Sequence, residues 1–168
     1  MDGQINRRCF LLGLAAAATL GRTLQAESVI DLEWSDLLPE GSLALPFELE
    51  EFVPHDSLEL ADLQPLSTGV RTDWNGKTVR MPGFIVPIDW TETGVTVFIL
   101  VPYIGACIHV PPPPANQLVL VTTGIPYEDV GLFDPVWVTG MFGTSPTSTL
   151  LAEIGYVISA DFIEPYPL

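Results

Sequence analysis

The sequence predicts an all-β domain, a small five-stranded barrel behind an irregular, partly helical N-terminal extension. Three observations predict it. Five short apolar runs between residues 74 and 168 are separated by turn-forming residues. No long segment carries apolar residues at helical spacing. Gly83 and Gly140 interrupt the first and fourth runs, where the strands of a closing barrel bend.

The chain opens on a targeting signature. Arg7-Arg8-Cys9-Phe10-Leu11 begins an apolar stretch that runs through four alanines to Leu20, and Ala26 offers a small residue for cleavage. A basic start followed by an apolar run too short to cross a bilayer predicts a signal peptide over residues 1–26 and export to the periplasm. The arginine pair before Phe10-Leu11 matches the twin-arginine type. An ordinary secretory signal with a chance arginine pair is the other reading. No later stretch is apolar for long enough to span a membrane.

Residues 27–73 form the acidic, proline-punctuated extension. Ile30 to Leu38 has the length of one or two helical turns, ended by Pro39-Glu40-Gly41. His55 follows Pro54 in a loop. The extension is expected to wrap the core more than build it. Residues 74–168 form the barrel domain. Asn75-Gly76 is a turn, and residues 78–88 are the first strand, with Pro82 and Gly83 marking a bulge, bend or edge. Thr93-Gly94 turns the chain into a second strand over 95–101. Residues 118–123 are the third strand and 135–142 the fourth. A polar loop and a short helical turn at Leu150–Glu153 lead to the fifth, 154–164. Five strands with this placement of glycines resemble the oligonucleotide/oligosaccharide-binding (OB) fold. Fold alone does not give function.

Charge narrows the function. The chain carries 21 acidic and 6 basic residues. Cleavage after Ala26 would remove Arg7, Arg8 and Arg22 and leave Arg71, Lys77 and Arg80 as the whole basic complement. Such a surface repels nucleic acid and anionic lipid, so the usual nucleic-acid role of the fold is disfavoured.

The run Pro102-Tyr-Ile-Gly-Ala-Cys-Ile-His-Val-Pro-Pro-Pro-Pro-Ala-Asn-Gln117 is the candidate site. Cys107 is the single cysteine of the processed chain, so no internal disulfide can form. His109 lies two residues on, and in extended backbone the two side chains share a face. Pro111, Pro112, Pro113 and Pro114 cannot donate hydrogen bonds, so this stretch must leave the sheet.

These residues resemble a family. Gly76 to Pro87 with its Met-Pro-Gly-Phe centre, and Phe98 to Gln117 with its Cys-x-His-x-Pro-Pro-Pro-Pro string, look like an uncharacterised family of exported bacterial proteins, domain of unknown function 3299. The resemblance spans most of Trp74 to Pro165, and Glu33-Trp34 to Pro39 looks like the family's N-terminal element. It implies an exported OB-like domain in transporter-linked, metal-related settings. It implies no activity, and no catalytic residue is assigned.

Three readings of the run stay open. A thiolate and an imidazole suit zinc or copper, with His55 or a carboxylate as the third ligand and Tyr103 and Gln117 as supporting partners. Alternatively Cys107 is a thiol nucleophile or redox group, although no orienting third residue is evident. In the plain reading Cys107 packs as a small hydrophobe, and Tyr103, Pro111–Pro114, Asn116 and Gln117 form an interaction surface. The first and the last favour an accessory or binding protein over an enzyme, with an envelope protein or transporter component as partner. Of the tryptophans, Trp137 is expected in the core, while Trp74 and Trp90 flank turns as contact residues.

Overall fold

The computed structural model describes residues 28–42, 64–107, 112–128 and 131–167. The predicted signal peptide lies outside the described residues. Six strands are present: β1 (Ile30–Asp31), β2 (Thr78–Thr91), β3 (Gly94–Val101), β4 (Val119–Tyr127), β5 (Pro135–Ser148) and β6 (Glu153–Pro165). They are ordered β1-β2-β3-β4-β6-β5, and β5 pairs back onto β2 to close a five-stranded barrel. Barrel neighbours are antiparallel except β4 and β6, which run parallel. This is the OB-like barrel expected from the strand pattern. β1 is an extra strand, parallel to β2 at Val79 and Arg80.

Closure depends on β2 serving two neighbours. Residues 78–84 pair with β5, residues 84–91 pair with β3, and Phe84 faces both. Gly83 sits at this handover. A Cβ there would stand 2.6 Å from Leu100 Cγ, so close approach of β3 demands glycine. The ladder runs through Pro82 and Gly83 without a shift, and the irregularity falls at Pro87 to Trp90 instead.

Alternation fills the interior. Val79, Met81 and Ile85 of β2, Phe98 and Leu100 of β3, Val136, Val138 and Phe142 of β5, and Tyr156 and Ile158 of β6 are all buried in one cluster. The N-terminal segment adds Leu32 and Leu37 to it, so it builds part of the core as well as wrapping it.

Four local expectations change. Ile30 to Leu38 forms β1 and then a single 3-10 turn, Trp34–Leu37. Leu38 precedes Pro39 and adopts extended backbone, which stops the turn. The helical turn expected at Leu150–Glu153 is absent, because the Thr149 hydroxyl accepts the amides of Leu151 and Ala152 and donates to the Ala152 carbonyl. Trp137 is outside the barrel, since Val136 and Val138 on either side point in. Trp74 packs against the core, edge-on to Phe142 with centroids 6.4 Å apart. Trp90, beside the β2–β3 hairpin, is 61% exposed.

Candidate functional site

Val101 ends β3, and the chain then folds back over the outside of the barrel. Gly105 and Cys107 have φ of 93° and 68°, both in the left-handed region. Gly105 adopts it freely, whereas for Cys107 it costs on the order of 1 kcal/mol. What offsets that cost is burial. Phe98 and Leu100 point into the barrel, so Ile99 and Val101 point out. Ala106, Cys107, Leu118, Ala152 and Ile154 close over them and over Val86 as a second apolar cluster, ringed by Phe84, Tyr103, Phe133 and Leu151.

Cys107 is 1% exposed at the heart of this cluster. Burial pushes its thiol up to about 12. The Tyr103 phenol is also raised, first by its own burial and then by the neighbouring Cys107. A thiol with this raised value is protonated at neutral pH. Its native pKa exceeds the ordinary value of 9.0, so the native state holds its proton longer than the unfolded chain does. The stability this contributes is whole below about pH 9 and is lost as pH rises towards 12. Wild type should therefore lose more stability than Cys107→Ala across that window, measured by urea unfolding at stepped pH. At pH 7.5 a thiol reagent should label Cys107 only after denaturant is added; labelling of the native protein at the rate of a free thiol would overturn this.

The far end of the segment is pinned by amides. Gln117 Nε2 donates to the Trp34 carbonyl at 3.0 Å. Asn116 Nδ2 donates to Thr68 Oγ1 at 3.1 Å and to the Gly69 carbonyl at 2.9 Å. Gln64 Nε2 donates to the carbonyls of Pro113 and Glu153, and its Oε1 accepts the Glu153 amide at 2.8 Å. Asn116 Oδ1 is buried with no partner, and the Gly69 carbonyl fixes that orientation because only the amide nitrogen can serve it. Nothing in the sequence marked Gln64, which acts across gaps of 49 and 89 residues.

The predicted site residues are thus dispersed in role. Cys107, Pro112, Pro113 and Asn116 are buried, while Tyr103, Pro114 and Gln117 are half-buried. His55, His109 and Pro111 lie outside the described residues. Among the described residues no three His, Cys, Asp or Glu side chains gather as a metal site. Three exposed aliphatics adjoin the cluster in sequence, and exposed Glu153 lies between its members Ala152 and Ile154. Ile104 is 62%, Leu132 52% and Leu150 100% exposed, and each lies next in sequence to a residue packed on the cluster (Tyr103, Phe133 and Leu151).

The profile of a family described as "Protein of unknown function (DUF3299)" matches residues 34–165. Among solved structures, the fold is similar to the crystal structure of a DUF3299 family protein from Pseudomonas aeruginosa PAO1. The two share 38% identity and a TM-score of 0.75, over 84% of this chain and 98% of that one. No curated protein matches the chain.

Proposed function

The chain belongs to the DUF3299 family, and we propose that its barrel is an exported binding module that docks an envelope protein, such as a transporter component, over the Cys107 cluster. One observation carries this reading. Three strongly exposed aliphatics, Ile104, Leu132 and Leu150, each adjoin in sequence a residue packed on the second apolar cluster outside the closed barrel. Large apolar side chains left exposed on a strongly acidic protein mark a candidate protein contact. Cys107 is then the anchor that holds the segment down, with strain at its backbone outweighed by burial.

One feature supports export: the Arg7-Arg8 pair with its apolar run. The thiol-dependent reading draws less support. A nucleophilic or redox cysteine needs access and a lowered pKa, and Cys107 has neither. A zinc or copper site on Cys107 and His109 also draws less support, since Cys107 lies among aliphatic and aromatic side chains.

Fractionation and crosslinking test the proposal together. The wild-type protein should appear in the periplasmic fraction and Arg7→Lys/Arg8→Lys should not. A photo-crosslinking residue at Ile104 should join one envelope protein, and the same residue at Trp90, beside the far end of β3, should not. Leu150→Asp should abolish the crosslink while leaving the thermal midpoint unchanged. Equal crosslinking from both positions would reject the docking surface. Stoichiometric zinc or copper that is retained by wild type and lost in Cys107→Ser would replace it with the metal reading.

A further inference from the structure

A second surface lies on the barrel wall around Trp137. Trp34, Trp137 and Tyr166, with Asp31 and Glu33, line an open groove of about 470 Å³. Its aromatic walls are fixed by the fold. Trp34 Nε1 donates to the Pro82 carbonyl at 2.9 Å, and the Tyr166 ring stands 5.1 Å from that of Trp137. The wall already holds a cation: the Arg80 guanidinium lies 4.2 Å from the centroid of the Trp137 ring.

The charges beside these rings are unbalanced. Asp31 is the ladder partner of Arg80, and Glu164 is the ladder partner of Trp137, so both carboxylates stand on the outer face with the rings. The ion pair found among the described residues is Arg71 with Asp73, which leaves Asp31, Glu33 and Glu164 without a cation. Three carboxylates, of which Glu33 also accepts the Asp36 amide, stand against one guanidinium beside aromatic faces and make a local field that attracts positive charge.

We propose that this groove receives a lysine or arginine side chain from an extended segment of a partner protein. Its openness favours a chain lying along it over a small molecule, because small-molecule sites enclose most of their ligand. The site is separate from the surface around Cys107 and does not depend on it.

The test is a titration of nitrogen-15-labelled protein with acetyl-Gly-Arg-Gly-amide at low salt. The indole N–H signals of Trp34 and Trp137 should shift saturably while that of Trp90 stays in place. The same peptide with citrulline, neutral and nearly isosteric, should produce no shift. Asp31→Asn and Glu33→Gln replace exposed side chains and should each weaken binding about threefold, the range of one exposed ion pair. Equal binding of the citrulline peptide, equal movement of Trp90, or unchanged affinity in both variants would overturn the proposal. Tetramethylammonium moving the same signals with equal affinity would assign the groove to small organic cations and also overturn it.

Discussion

Gly140→Ala should destabilise the barrel by about 3 kcal/mol or more, the scale of overpacking against rigid neighbours. Gly140 lies in β5 between two partners, Val79 of β2 and Ala160 of β6. A Cβ there would run into the carbonyl of Ser159 and stand 2.7 Å from Ala160 Cα. Both obstacles are backbone, so no rotamer change relieves them. The ladder shift between Thr139 and Gly140 is what brings the β6 backbone so close. Separating the strands would open the barrel between β5 and β6, whose ladder runs nearly the whole length of both. For a domain of this size the thermal midpoint should fall by about 10 °C. Gly124→Ala is the control, because a Cβ there meets nothing within 4 Å. If the two variants melt together, β5 and β6 are not in the close contact described.

Gly140 also shows how far the sequence could be read. The barrel strands were legible because a buried inner face imposes a period of two on their residues, and because β3, buried on both faces, reads as a continuous apolar run. A glycine inside the fourth run signalled an irregularity, and one is there. The far half of β5 was not legible. Gly143 to Ser148 pairs with β6 as a polar ribbon that buries little, so it carries no apolar period. β1, with two residues, is too short to have a period at all.

The candidate site was legible as a place and not as a geometry. The Cys-x-His string with four prolines is unusual enough to single out. Placing Cys107 and His109 on one face assumed extended backbone, and a φ of 68° at Cys107 breaks that assumption. Asn116 and Gln117 read as surface residues because amides usually are. Their role comes from Thr68, Gly69 and Trp34, which are distant in sequence and leave no local trace. The groove around Trp137 was hidden by the same cause. An aromatic residue in a strand is placed by its register, and whether Trp137 faced in or out depended on its neighbours Val136 and Val138.

Tyr156→Phe should cost about 2–4 kcal/mol, because it strands a buried carbonyl and a half-buried amide at once. The Tyr156 side chain is fully buried. Its hydroxyl accepts the Arg71 amide at 2.7 Å and donates to the Leu37 carbonyl at 2.7 Å. One oxygen thus ties the 3-10 turn and the segment after Gln64 to the last barrel strand. Phenylalanine keeps the ring and its packing on Phe142, 5.2 Å away, so the variant isolates the hydroxyl. The other contacts of Arg71 cannot replace it. Its pair with Asp73 is exposed, and exposed pairs contribute about 0–1 kcal/mol. Its stacking on Trp74 at 4.5 Å and its bond to the Asp36 carbonyl orient the side chain but do not serve the two stranded groups. The expected signature is therefore local as well as global. In Tyr156→Phe the Arg71 amide should exchange with solvent far faster than in wild type, while amides in the centre of β5 stay protected under native conditions. Trp34 hangs from the same turn, so the groove beside it should bind the arginine peptide more weakly as well. A stability within about 0.5 kcal/mol of wild type, the scatter of neutral surface changes, would show that the hydroxyl clamp does not hold the N-terminal segment to the barrel.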